Sequence, residues 1–130
     1  MSVEELQTVK KQIFIVDDDE SVRRALKLLM MTYGFEVDTF ASFEDFLSDI
    51  PNSLQGCLIL DIYMPGLDGW EGQRILIKSG SDRPVIFITA DKNNEFKEKA
   101  VKVGAKGLLQ KPFNDQELVD LINSAFLSKD

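Results

Sequence analysis

Five short apolar segments alternate with stretches of helical periodicity along the chain. Three of the segments, at residues 13–16, 57–60 and 85–88, are unbroken apolar runs, which are typical of strands buried on both faces of a parallel sheet. Residues 36–40 alternate between polar and apolar positions and predict a half-exposed strand at a sheet edge. Residues 107–109 form the fifth predicted strand.

Five helices are predicted between and after these strands. Apolar residues three and four positions apart define their buried faces, and Ser42 and Asn114 are candidate N-caps. The predicted helices run from about Val22 to Met30, Ser42 to Asp49, Trp70 to Lys78, Asn93 to Val103, and Asn114 almost to Asp130. Strict alternation of strand and helix predicts a doubly wound α/β sandwich with right-handed crossovers.

Length and composition indicate one small intracellular domain. The chain has 130 residues, one cysteine, no histidine and a net charge of −7. We expect a loose leader at residues 1–11 and one domain at 12–128. The acidic balance argues against nucleic-acid binding. With Cys57 alone there is no internal disulfide, and without a signal or membrane-spanning pattern we expect a cytoplasmic location.

Charged and hydroxyl side chains follow four of the predicted strands. Asp17 and Asp18 follow the first, Asp61 the third, Thr89 the fourth and Lys111 the fifth. The carboxyl ends of parallel strands share one edge of the sheet, where ligands of open α/β folds bind. Three carboxylates at one edge repel one another, and a hard divalent cation with oxygen ligands, most plausibly Mg²⁺, removes that conflict.

This set of side chains suits a phosphoryl group near Asp61. The hydroxyl of Thr89 and the ammonium of Lys111 can hold two phosphoryl oxygens, with the metal on the third. Phosphoryl transfer needs mainly positioning and charge neutralisation from a protein, and Asp61 can then serve as nucleophile and form an acyl phosphate. Because the chain has no histidine, the phosphoryl donor must be external.

Four segments together resemble the receiver domain of two-component response regulators. They are residues 15–19 (IVDDD), 60–69 (LDIYMPGLDG), 85–90 (VIFITA) and 109–113 (LQKPF). The resemblance extends from about Gln12 to Leu127. It implies a flavodoxin-like, five-stranded parallel sheet of order 2-1-3-4-5 flanked by five helices, and a signalling switch rather than an enzyme that turns over an external substrate.

The resemblance also implies a role for each strand-end residue. Asp61 matches the phosphoacceptor, while Asp17 and Asp18 match the Mg²⁺-site acids, with the backbone carbonyl of Tyr63 as a further ligand. By the same resemblance, Thr89 and Lys111 form the phosphate-sensing pair, and the Lys111–Pro112 peptide bond is cis. The implied donors are a sensor histidine kinase, a histidine phosphotransfer protein or a small acyl phosphate.

Three positions bear on switching and on phosphoryl lifetime. Receivers usually carry Tyr or Phe where this chain has Leu108, so we hypothesise weaker coupling there and a larger role for Thr89 and the loop before the fourth helix. Tyr63 and Asp91 lie two residues after Asp61 and Thr89, positions that flank the path of attacking water in receivers. A bulky Tyr63 that screens the acyl phosphate predicts slow-to-moderate hydrolysis.

Other interpretations compete with the switch. A Mg²⁺-dependent phosphohydrolase with an aspartyl nucleophile, of the haloacid-dehalogenase kind, expects an acid where Tyr63 stands and needs a substrate cap. A flavodoxin-like cofactor binder expects a phosphate loop where this chain has the four acids of residues 17–20, which repel phosphate. Those acids also suit the N-terminus of a helix, and this reading explains Asp19 and Glu20.

The output of the predicted switch stays open at this stage. Both a single-domain regulator and the receiver portion of a longer protein fit this organisation, and the downstream target is unknown. By the resemblance, the face formed by the fourth helix, fifth strand and fifth helix is a candidate homodimer surface. Lys97, Lys99 and Lys102 interleave with Glu95 and Glu98 on the fourth helix, a pattern typical of a solvated face.

Overall fold

The computed structural model describes residues 11–127. The predicted leader at 1–11 therefore lies outside the described residues, except for Lys11. The elements in chain order are β1 (Gln12–Val16), α1 (Glu20–Thr32), β2 (Glu36–Phe40), α2 (Phe43–Asp49), β3 (Cys57–Asp61), α3 (Gly69–Lys78), β4 (Val85–Thr89), α4 (Glu95–Lys102), β5 (Gly107–Gln110) and α5 (Asp115–Leu127). None of these helices is long and apolar enough to cross a bilayer.

The sheet confirms the predicted fold class. Its five strands are all parallel and lie in the order β2-β1-β3-β4-β5. The strand predicted as half-exposed, β2, is at an edge, and only one of its five residues, Val37, is buried. Every residue of β3 and β4 is buried, as unbroken apolar runs predict for central strands covered on both faces.

Two hydrophobic cores cover the two faces of the sheet. Successive strand residues point to opposite faces, so Ile13, Ile15 and Ile59 pack with residues of α1 and α5. Phe14 and Leu58 belong to the other core, which α2, α3 and α4 complete. The four strand ends that carry the candidate residues therefore lie at one edge of a sheet whose faces are both filled.

Helix starts follow the capping chemistry of the sequence, with one exception. Ser42 Oγ accepts from the backbone N–H of Asp45 at 3.0 Å, and Asn114 Oδ1 accepts from that of Glu117 at 2.8 Å, which confirms both predicted caps. Helix α4 begins at Glu95 rather than Asn93, because Asn93 Oδ1 accepts from the Glu95 N–H and holds residues 93–94 in a turn outside the helix.

Candidate functional site

Three carboxylates meet where β1 and β3 end. Val16 and Leu60 are paired across the two strands, so the residues that follow them, Asp17 and Asp61, lie side by side. One carboxylate oxygen from each of Asp17, Asp18 and Asp61 lies within 4.8 Å of the others. Asp17 and Asp61 are buried, whereas Asp18 is exposed. The arrangement has the oxygen ligands and the open side that a partly hydrated Mg²⁺ requires.

Local backbone contacts fix the first of these acids. Asp17 Oδ1 accepts from the backbone N–H of Asp19 at 2.9 Å, and its backbone carbonyl accepts from Nη1 of Arg23 at 2.8 Å. Asp19 itself caps α1 by accepting from the backbone N–H groups of Ser21 and Val22. The hydroxyl of Ser21, which donates to Asp19 Oδ1 at 2.7 Å, and these backbone bonds lower the pKa of its carboxyl. The neighbouring acids thus have different tasks, and helix capping explains Asp19.

Lys111 reaches two of the carboxylates from β5. Its Nζ lies 3.0 Å from Asp17 Oδ2 and 3.7 Å from Asp61 Oδ2. The Lys111–Pro112 peptide bond is cis, as the resemblance to receiver domains implies, and the Lys111 N–H donates to the backbone carbonyl of Thr89 at 2.7 Å. The ammonium therefore lies between two carboxylates that come from residues 94 and 50 positions earlier in the chain.

The charge balance at Asp61 is unfavourable despite this lysine. Burial raises the pKa of its carboxyl to about 6, the negative charge of Asp17 adds to the rise, and Lys111 offsets only part of it. A cation shared by the three acids reverses the effect of burial and repulsion. The donor set and its charge conflict both fit a divalent ion, and Asp17, Asp18 and Asp61 are the side chains that would hold it.

Thr89 completes the edge from β4. Asp61 pairs with Ile88 across β3 and β4, which places Thr89 one residue farther along the neighbouring strand. Its side chain is buried, and its Oγ1 accepts from the backbone N–H of Asp91 at 3.1 Å. The hydroxyl hydrogen of Thr89 stays available for an oxygen ligand.

Tyr63 and Asp91 are joined by a hydrogen bond. The Tyr63 hydroxyl donates to Asp91 Oδ2 at 3.0 Å, and this bond is the main cause of the raised pKa of the tyrosine. It links the loop after β3 to the loop after β4. The ring of Tyr63 also lies 6.1 Å from that of Phe96, which in turn lies 5.4 Å from that of Trp70. A row of three rings thus extends from the Asp61 loop to α3.

The start of α3 is pressed against the end of β3. The Gly69 N–H donates to the carbonyl of Ile62 at 2.7 Å. A Cβ on Gly69 would lie 2.8 Å from the backbone oxygen of Asp61, so only glycine fits this position. Asp68 caps the helix by accepting from the Glu71 N–H at 2.9 Å.

Leu108 is half-buried and packs against the core shared with α3 and α4. It also lines an open cavity of about 470 Å³ between α4 and α5, together with Val101 and Leu121. The side chain is therefore in contact with both the interior and the α4-β5-α5 surface.

The structure brings the predicted residues to one edge of the sheet. Asp17, Asp18, Asp61 and Lys111 are in direct proximity. Sequence reasoning missed Arg23, which supports Asp17 from the helix that follows it. Its position on the predicted first helix, six residues after Asp17, is the only signal available, and that signal does not distinguish it from the neighbouring Arg24.

The known proteins that this chain resembles are response regulators. Residues 13–123 match the family model of the response regulator receiver domain. The chain is 41% identical over 113 residues to the response regulator protein TodT of Pseudomonas putida, covering 87% of this chain and 50% of that protein. It thus spans about half the length of the curated relatives it matches.

Solved structures give the same picture. Response regulator StyR superposes with a TM-score of 0.85 at 40% identity, covering 92% of this chain and 60% of that one. The structure titled FixJ-N gives a TM-score of 0.85 at 32% identity, covering 92% of this chain and 96% of that one. The second match extends over both chains almost completely.

Proposed function

Because the chain belongs to the family of response regulator receiver domains, we propose that it is a phosphorylation-controlled switch whose phosphoacceptor is Asp61. Receivers of two-component systems are phosphorylated by histidine kinases and act on downstream targets. The observation that carries the proposal is the meeting of Asp17, Asp18 and Asp61 with Lys111 at one sheet edge.

In the proposed reaction a carboxylate oxygen of Asp61 attacks the phosphorus of the donor. The new bond joins that oxygen to phosphorus and produces an acyl phosphate, while the bond from phosphorus to the donor's imidazole nitrogen breaks. The imidazole leaves with the bonding electron pair. With acetyl phosphate as donor, acetate leaves instead. Attack requires the ionised form of Asp61, whose pKa of about 6 leaves most molecules reactive at pH 7.

Receiver domains bind Mg²⁺ at an acidic pocket, and here Asp17, Asp18 and Asp61 would hold the ion, with the Tyr63 carbonyl as a further predicted ligand. When bound, Mg²⁺ supplies positive charge beside the carboxylates and the transferring group. Lys111 supplies a second positive charge, since its Nζ lies within 4.0 Å of both Asp17 and Asp61. Its existing contact with Asp17 keeps it at the site before any phosphoryl group arrives.

The proposed response to phosphorylation involves two loops. Thr89 donates its hydroxyl hydrogen to a phosphoryl oxygen, and its Oγ1 already accepts from the Asp91 N–H. A shift of Thr89 therefore acts on Asp91, and through it on Tyr63. Leu108 contributes less in this hypothesis, so its NMR chemical shifts should change less on phosphorylation than those of residues near Asp61. Equal changes would contradict the hypothesis.

The same proposal extends to the phosphoryl donor, the homodimer surface and the location of the protein. The donor is a sensor histidine kinase or a histidine phosphotransfer protein, and the α4-β5-α5 face is a candidate homodimer surface. The single, buried Cys57 suits the reducing environment of a cytoplasmic location. The chain spans about half the length of its curated relatives. Its output, which acts through a partner or through a further domain, therefore also belongs to the proposal.

Intact-mass spectrometry after incubation with acetyl phosphate tests the acceptor and the metal together. We expect the wild type to gain one phosphoryl group with Mg²⁺ present and none after chelation. Asp61→Asn should gain none under either condition. Asp45→Asn, which changes an exposed aspartate on α2, is the matched control and should behave as the wild type. Phosphorylation of Asp61→Asn at the wild-type level would refute the assignment.

A further inference from the structure

A cavity between α3 and α4 has a composition unlike that of the protein around it. Its volume is about 310 Å³, at the lower end of the range of small-molecule sites. It is lined by Trp70, Arg74, Ile77, Lys78, Lys99 and Val103. Three apolar side chains and three cations thus surround it, and no carboxylate does.

The positive charge of this cavity is not compensated locally. Within residues 11–127, none of Arg74, Lys78 and Lys99 lies within 4.0 Å of a carboxylate oxygen. Two other cavities of the described chain differ in this respect. The one beside Leu108 includes Lys97 but also two acids, and one along α4, which shares Lys99 with this cavity, has two lysines and two glutamates. On a chain of net charge −7, this concentration of cations stands apart.

Helix dipoles account for only part of the pattern. Lys78 and Lys99 lie in the last turns of their helices, where cations are favourable. Arg74 lies in the middle of α3, and Ile77 remains 55% exposed beside it. An exposed isoleucine between cations gains nothing from a dipole, whereas it provides apolar contact for a ligand that carries a negative charge.

The cavity is held in shape by two contacts between its helices. The buried Gln73 donates from Nε2 to the carbonyl of Val103 at 2.9 Å, which ties α3 to the end of α4. Lys99 Nζ lies 4.3 Å from the centre of the Trp70 ring, a cation–π contact. A preformed cavity requires little ordering when a ligand binds.

We propose that this cavity is a binding site for a small organic anion with a flat apolar body, such as an aromatic carboxylate or sulfonate. Trp70, Ile77 and Val103 contact the apolar body, and Arg74, Lys78 and Lys99 attract the anionic group. The site is separate from the carboxylate edge of the sheet and is present in the unphosphorylated protein.

Energy transfer from Trp70 tests the site, because it is the only tryptophan of the chain. The probe is anilinonaphthalene sulfonate, an aromatic anion that accepts tryptophan emission. We expect saturable transfer with one-site stoichiometry. Naphthoate should displace the probe, and the neutral naphthalene methanol should displace it about tenfold less well. Transfer that does not saturate, or equal displacement by both competitors, would overturn the proposal.

Charge-reversal variants locate the binding. Arg74→Glu should weaken probe binding about tenfold. Lys97→Glu makes the same charge change on α4 but belongs to the other cavity, so it should weaken binding less than about twofold. Equal weakening by the two variants means attraction by net charge alone and overturns the site. Both residues are exposed, and circular dichroism checks that both variants fold.

Discussion

Two buried charged groups occupy opposite edges of the sheet, and their surroundings differ completely. Asp61 at the carboxyl edge and Arg83 at the amino edge are each 6% exposed. Asp61 faces the like charges of Asp17 and Asp18, and the pKa of its carboxyl is raised to about 6 by burial and by that charge. Burial alone therefore does not distinguish the two residues.

Arg83 has hydrogen-bond acceptors for two of its three guanidinium nitrogens, whereas its buried Nη1 has no partner among residues 11–127, and burial lowers the pKa of the group. Its Nε donates to the carbonyl of Leu54 at 2.8 Å, and Nη2 donates to the carbonyl of Pro51. Its guanidinium carbon lies 5.5 Å and 5.3 Å from the ring centres of Phe14 and Phe46. The arginine thus ties the loop before β3 to β4. A buried charge with hydrogen-bond acceptors stabilises the fold, whereas a buried charge that is repelled by its neighbours favours the binding of a ligand of opposite charge.

The strongest test of this comparison removes the matched charge. Arg83→Ala should lower the free energy of unfolding by about 2–4 kcal/mol, because two carbonyls lose their donors and two rings lose a packing partner. Urea denaturation at pH 7 measures this. The exposed Arg24, 3.9 Å from Glu20, is the control, and Arg24→Ala should cost less than about 0.5 kcal/mol. Equal losses in the two variants would contradict the structural role of Arg83.

Removing the conflicting charge should have the opposite sign. Because Asp61 binds its proton more tightly in the folded state than at the ordinary value of 3.8, its contribution to stability falls as pH rises from about 4 to about 6. Above that window, without Mg²⁺, Asp61→Asn should be more stable than the wild type by about 1–3 kcal/mol. The difference should vanish below about pH 4.

Denaturation curves at several pH values, with a chelator present, measure the effect. Asp45→Asn, which removes an exposed carboxylate, again serves as the control and should not be more stable than the wild type at pH 8. A destabilised Asp61→Asn at pH 8 would show that the acid trio is not in conflict.

Mg²⁺ should relieve the conflict directly. At a Mg²⁺ concentration about ten times its dissociation constant, the wild type should gain about 1.4 kcal/mol of unfolding free energy. Asp61→Asn and Asp17→Asn should each gain much less, since each lacks one of the three carboxylates. Thermal melts with Mg²⁺ and with Ca²⁺ compare the ions, and an equal gain in Asp61→Asn would place the binding elsewhere.

The smallest expected effect concerns the bond across the two loops. Tyr63→Phe removes the hydroxyl that donates to Asp91 but keeps the ring, and it should speed hydrolysis of the acyl phosphate about two- to fivefold. Tyr63→Ala, which also removes the ring, should speed it further. Loss of phosphoryl mass over time gives both rates. An unchanged rate in Tyr63→Ala would exclude screening by this side chain.

The sequence predicted the fold and the edge of the sheet that carries the site, for a physical reason. Unbroken apolar strands such as β3 and β4 must be covered on both faces, and parallel strands bring Asp17, Asp61 and Lys111 to one edge. Segments whose conformation depends on side-chain hydrogen bonds are harder to predict. The start of α4 was placed two residues early, because Asn93 competes with the helix for a backbone N–H.

Arg83 was not recognised as a buried residue. In the sequence it lies between Asp82 and Pro84 and has the appearance of an exposed loop residue. Its acceptors are backbone carbonyls 29 and 32 residues away, and every residue type has such a carbonyl, so no pattern of residue types reveals them. The hydrogen bond between Tyr63 and Asp91 cannot be predicted from the sequence either, because it depends on the rotamers of two side chains at the surface.

The close packing at Gly69 makes the loop after β3 more rigid than the loop after β4. The loop from Ile62 to Gly69 is a ring clamped at its base, because its last residue bonds to its first and leaves no space for a side chain. Apart from the bond from the Tyr63 hydroxyl to Asp91, the side-chain hydrogen bonds of the loop after β4 are short-range bonds at Asp91 and Asn93, and α4 begins without a side-chain cap. A structural change at Asp61 should therefore displace the loop after β4 more than the loop after β3, and α4 should move with that loop.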